Sequence, residues 1–168
     1  MSDVAADLVI DFGSKVAGYR ELDRVMAALL SGETDPIANL ANAAALIFAQ
    51  VPDLNWAGFY LARGGDLVLG PFQGKPACVR IPVGRGVCGT AAELRRSVVV
   101  PDVHAFPGHI ACDGASNAEI VVPLLRRQEL LGVLDVDSPT PGRFDDVDRQ
   151  GLERVVATIL ASLQAGPG

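Results

Sequence analysis

Residues 119–137 read EIVVPLLRRQELLGVLDVD, two apolar runs on either side of a charged connector. Short runs rich in Val, Ile and Leu are strand signals, and the four residues RRQE between them suit a turn, so the stretch predicts a β-hairpin. Strand side chains alternate between faces, which places Val133, Asp135 and Asp137 on one face and Leu134 and Val136 on the other. Two carboxylates therefore project together, roughly 7 Å apart along the strand. On the first strand Glu119 opens the face that also holds Val121. Carboxylates held close repel one another, which raises at least one pKa and provides a proton donor near neutrality. A plainer reading stands beside this one: Asp137 precedes Ser138-Pro139 and suits a turn, and Asp135 suits the solvent face of an uncovered sheet.

Upstream, NWAGFYLA (55–62), a Gly64-Gly65 turn and DLVLGPFQG (66–74) predict another hairpin. Trp56, Gly58 and Tyr60 share a face there, and a glycine between two aromatics predicts room for a small ligand. ACVRIPVG (77–84) reads as a further strand, GVCGTAAELRR (86–96) as a short helix, and SVVVPDV (97–103) as a strand. Helical spacing runs from Asp11 to Leu30, and a second helix starts at Asp35-Pro36 and runs to Gln50. An amphipathic helix closes the chain from about 145 to 164, with a loose GPG end. The whole predicts one α+β domain over 1–168: N-terminal helices over about 11–50, sheet and loops over about 55–138, and terminal helices on one face of a mostly antiparallel sheet.

Hydrophobic residues make up 49% of the 168 and charged residues 20%, a globular composition. The net charge of −6 argues against a nucleic-acid partner, which needs clustered Lys and Arg. No apolar run is long enough to span a membrane, and MSDVAADLVIDF lacks the basic start of a signal peptide. Cys78, Cys88 and Cys112 include no CxxC pair, which disfavours zinc and a disulfide scaffold and fits a reducing cytoplasm. No metal or cofactor motif is present; GRGVCG lacks the lysine and serine of a phosphate loop.

GHIACDGASNAEI (108–120) is a polar loop in which a thiol is accessible. Cys112 there points to chemistry, with His109 a candidate to stabilise its thiolate. Cys78 fits packing and redox chemistry equally, and Cys88, among small residues, reads as a buried thiol.

Taken in order, NWAGFYL, LVLGPFQGKPACVRIP, GVCGTA, VPDVHAFPGHIACD, AEIVVPL and GVLDVDSP resemble the free methionine-(R)-sulfoxide reductases, small enzymes built on a stand-alone GAF domain. The resemblance spans about Asn55 to Asp148 and implies a six-stranded antiparallel sheet, helices behind it and a ligand pocket in front. It implies Cys112 as the attacking thiol, Cys78 as its resolving partner in a disulfide, and a less settled part for Cys88. Trp56 and Tyr60 would surround the substrate methyl, while Glu119, Asp135 and Asp137 would hold the substrate amino group and polarise its sulfoxide oxygen. Free methionine-(R)-sulfoxide, a thioredoxin-like dithiol and a homodimer are the implied partners. Two rival readings are a non-enzymatic GAF module that binds a small ligand, and a redox sensor built on Cys78 and Cys112.

Overall fold

A computed structural model describes residues 7–164. The loose GPG end and the first six residues of the stretch read for a signal peptide lie outside them. Two helices come first, α1 (Lys15–Leu29) and α2 (Pro36–Gln50). Helix α1 starts later than its spacing predicts, because the Ser14 side chain accepts from the Ala17 N–H and caps it there. Helix α2 starts as expected, with the Asp35 carboxylate accepting from the Ala38 N–H.

Strands β1 (Trp56–Arg63) and β2 (Asp66–Gly74) form the first hairpin, turning on Gly64 and Gly65, both at positive φ. Strand β3 is only Arg80–Pro82, much shorter than the predicted 77–84. Two aromatics of β1 hold the run before it: Trp56 Nε1 donates to the Lys75 carbonyl and Tyr60 Oη to the Cys78 carbonyl, while the Val79 carbonyl accepts from the Leu69 N–H of β2. Helix α3 (Gly86–Leu94) ends on Arg95 in a left-handed conformation. Strand β4 is Val98–Val100, cut short where Pro101 offers no N–H. A 3₁₀ turn, Val103–Ala105, follows it.

Strands β5 (Ala118–Arg126) and β6 (Glu129–Ser138) form the second hairpin. Its turn is Arg127 and Gln128 alone, because Arg126 and Glu129 still pair across the ladder. Helix α4 (Asp146–Gln164) closes the described chain. The six strands make one antiparallel sheet in the order β3-β2-β1-β6-β5-β4.

Alternation sorts the two faces. Ala57, Phe59, Ile120, Val122, Leu124, Leu134 and Val136 join the core under α1, α2 and α4. Trp56, Tyr60, Val121 and Val133 belong to a second cluster on the opposite face, beneath α3. The terminal helices therefore share one face, as the sequence predicts, and α3 walls the other. No helix among the described residues is long and apolar enough to cross a membrane.

Candidate active site

Register brings the three pocket carboxylates together. Trp56 on β1 lies opposite Asp137 on β6, and Asp137 lies opposite Glu119 on β5. Two residues along, Gly58 faces Asp135 and Asp135 faces Val121. Glu119, Asp135 and Asp137 thus occupy adjacent places on one face of two neighbouring strands, β5 and β6, where neighbouring side chains are in reach. Neither the turn reading of Asp137 nor the solvent reading of Asp135 survives: Asp137 lies within β6, paired with β1 and β5, and Asp135 is buried.

These residues line a pocket together with Trp56, Tyr60, Cys88, Cys112 and His109. Oδ1 of Asp135 and Oδ1 of Asp137 are buried without a hydrogen-bond partner, and no Lys or Arg is among the lining residues. Burial, then the charges of Asp135 and Asp137, push the Glu119 carboxyl well above the ordinary carboxylate range. Burial, then Asp135 and Asp113, do the same to Asp137, and burial also raises Asp135. Such carboxyls retain a proton at pH values where free ones have lost it.

Cys78 and Cys112 are joined in a disulfide, their Cα atoms 5.4 Å apart. The loop thiol and the thiol just before β3 therefore meet at the pocket, and the packing alternative for Cys78 gives way to the redox one. Cys88 is a free, buried thiol whose Sγ lies 3.8 Å from Glu119 Oε1. Burial, then the neighbouring carboxylates, push its pKa well up, so it is no ready nucleophile.

Gly58 leaves no ligand space, contrary to the sequence expectation. A Cβ there would lie 2.3 Å from Phe72 Cβ, because the Phe72 side chain crosses it and stacks on Trp56 with centroids 5.3 Å apart. The glycine is required by a close approach within the protein. Trp56 and Tyr60 do line the pocket, but their polar atoms are spent holding the 75–78 backbone. His109, the candidate thiolate partner, is a lining residue whose pKa is lowered by burial and by His104.

Sequence reasoning missed Asn55, Asp113 and Ser116. Asn55 Nδ2 donates to Asp113 Oδ2 at 3.2 Å and Ser116 Oγ at 3.0 Å, tying the Cys112 loop to the root of β1. Asp113 also accepts from the Ala115 N–H, an Asx turn that the adjacent DGAS could have signalled.

The six-stranded antiparallel sheet carries the terminal helices on one face and the α3-walled pocket on the other, and the GAF domain family model matches residues 21–163. The free methionine-R-sulfoxide reductase of Escherichia coli is 56% identical over 146 residues, 87% of this chain and 88% of that protein. Its namesake from Saccharomyces cerevisiae is 45% identical, covering 80% of this chain and 79% of that one. The X-ray structure of the Neisseria meningitidis enzyme in complex with its substrate superposes with a TM-score of 0.89 at 43% identity, over 93% of this chain and 94% of that chain. The chain belongs to the free methionine-R-sulfoxide reductase family of GAF-domain proteins.

Proposed function

We propose that this protein reduces free L-methionine (R)-S-oxide to L-methionine, with Cys112 as attacking thiol and Cys78 as resolving thiol. The observation that carries the reading is a Cys78–Cys112 disulfide at a pocket whose carboxylates have no cationic partner among the described residues. Buried acids without a partner are costly, and an ammonium group supplies the missing charge.

A sulfoxide becomes a good electrophile only when its oxygen is hydrogen-bonded or protonated. Glu119 and Asp137, with their raised pKa values, supply that proton, while Asp135 joins them in holding the substrate ammonium. Trp56 and Tyr60 pack against the substrate methyl. The Cys112 thiolate attacks the sulfur of the protonated sulfoxide; the new bond between the two sulfurs then breaks as the hydroxyl passes from the methionine sulfur to Cys112 Sγ, leaving methionine and a Cys112 sulfenic acid. The Cys78 thiol then displaces water from it, forming the disulfide. An external dithiol of the thioredoxin type restores both thiols by exchange and is itself oxidised. Cys88 contributes to the pocket wall. Selectivity for the free amino acid follows from charge, since a peptide-bound residue has no ammonium and leaves the acids unpaired. A homodimer working in the cytoplasm completes the proposal.

The test is turnover of free methionine-R-sulfoxide with a dithiol reductant. Wild-type protein is expected to consume the R epimer of the free amino acid, and Cys112→Ser to consume none. Full activity in Cys112→Ser, or none in wild type, defeats the mechanism.

A further inference from the structure

Cys88 is the cysteine that the reaction above leaves unused, and it stands against the acid cluster. Its Sγ and one carboxylate oxygen each from Glu119 and Asp135 all lie within 4.8 Å of one another. Three different elements supply them: α3, β5 and β6. Cys88 is 3% exposed, and Glu119 and Asp135 are each 7% exposed. Asp135 adds an independent observation, since its Oδ1 is more than nine-tenths buried and has no hydrogen-bond partner.

We infer that Cys88, Glu119 and Asp135 form a binding site for a borderline-soft divalent cation of the zinc type, and that this cation excludes substrate from the pocket. The donor set argues the class of ion. Hard Mg²⁺ and Ca²⁺ favour all-oxygen shells, whereas a thiolate beside two carboxylates suits Zn²⁺ or Co²⁺. Ligand atoms of a tetrahedral zinc ion stand roughly 3.3–3.8 Å apart, from bonds of about 2.0–2.3 Å, so small side-chain adjustments close the triangle. Three protein ligands leave the fourth position to water. Binding displaces the Cys88 thiol proton and any proton held on the two carboxyls, so it strengthens as pH rises. Because Cys88 stands outside the Cys78–Cys112 disulfide, the site persists when the redox pair is oxidised. Exclusion of substrate rests on the functional reading above, because the ion takes the carboxylates assigned to the ammonium; the metal binding itself does not.

The experiment uses the oxidised protein, in which Cys88 is the free thiol, titrated with Co²⁺. One equivalent is expected to give a thiolate-to-cobalt charge-transfer band that Zn²⁺ removes and Mg²⁺ does not. Cys88→Ser should abolish the band, with Cys88→Ala as the check if serine perturbs folding. Glu119→Gln should retain the band and weaken cobalt at least tenfold. No band in wild type, or a band that survives loss of Cys88, overturns the site and assigns any bound metal to an adventitious position such as the His104–His109 pair. In Cys112→Ser, which cannot turn over, saturating methionine sulfoxide should raise the cobalt dissociation constant at least tenfold. An unchanged constant overturns the exclusion. Failure of the functional reading appears separately, as absent turnover in metal-free wild type, and leaves the cobalt band in place.

Discussion

Asp148 and Asp135 are both buried aspartates, 0% and 7% exposed, and the protein treats them in opposite ways. Asp148, in the first turn of α4, accepts from Lys15 Nζ at 2.6 Å, Tyr19 Oη at 2.8 Å and Arg143 Nη1 at 3.1 Å. The Asp145 N–H adds a fourth bond at 2.8 Å, and Asp145 Oδ1 accepts from the Asp148 N–H in return, a reciprocal cap on α4. Asp135 has two acidic neighbours, a thiol, and an oxygen with no partner. A buried charge surrounded by donors ties the fold together, here α1 to α4. A buried acid surrounded by acids has no counter-charge among the described residues. The difference separates a carboxylate that serves the fold from one whose charge the fold leaves uncompensated.

The largest expected effect lies on the pocket side. Glu119→Gln should lower turnover of free methionine-R-sulfoxide by roughly 10²–10⁴-fold, the range for losing a positioned acid. The melting temperature should hold or rise, because one source of repulsion is gone. A variant that loses stability but keeps its rate would reverse the assignment. On the other side, Asp148→Ala should cost about 3–5 kcal/mol of stability, because Lys15 and Arg143 are left without their buried partner. Denaturant unfolding measures the loss, and the folded fraction should retain wild-type kcat.

Acid and alkali should act on the two clusters from opposite directions. Glu119 and Asp137 have folded pKa values raised above the ordinary 4.5 and 3.8, so the native state binds more protons there than the unfolded chain. Their favourable contribution is complete below the ordinary values and is lost as pH climbs through the raised ones. Asp145, beside Lys15, is lowered to about 2, chiefly by its hydrogen bond to that lysine. Its contribution is complete above 3.8 and is lost only as pH falls toward 2. Ligand-free protein should therefore lose stability on the rising side of pH 4.5, and Asp137→Asn should flatten that slope. A slope unchanged in Asp137→Asn would remove the carboxyl from the cluster.

The sequence made one of these clusters legible and hid the other. Period-two alternation in VLDVD and EIVV is local, so the common face of Asp135, Asp137 and Glu119 can be read directly, and the hairpin brings Glu119 opposite Asp137. Asp148 meets Tyr19 and Lys15 across 129 and 133 residues, and nothing in DDVDRQ announces it. The Cys78–Cys112 pairing is equally non-local; only the family resemblance implied it. Phe72 over Gly58 was missed because a strand pattern tells which face a side chain takes and not how far a neighbour leans. Strand β3 is shorter than its apolar run suggests because the Cys78 carbonyl accepts from Tyr60, a side chain 18 residues away that no local pattern announces.

Two tyrosines permit the finest comparison, since burial pushes both hydroxyls well above the usual phenol range and each donates one hydrogen bond. Tyr19 donates to the charged Asp148, and Tyr60 to the neutral Cys78 carbonyl at 2.9 Å. Hydrogen bonds to charged groups contribute about 1.5–3 kcal/mol, and neutral ones about 0.5–1.5 kcal/mol. Tyr19→Phe should therefore destabilise more than Tyr60→Phe in denaturant unfolding. Only Tyr60→Phe should touch the reaction, because its bond fixes the backbone that presents the resolving thiol. In a single turnover, methionine should still appear at close to the wild-type rate while the Cys78–Cys112 disulfide closes more slowly and sulfenic acid accumulates. Equal destabilisation by the two changes would show that acceptor charge does not set the difference. A slowed methionine burst with normal disulfide closure would place Tyr60 with the substrate methyl and not with Cys78.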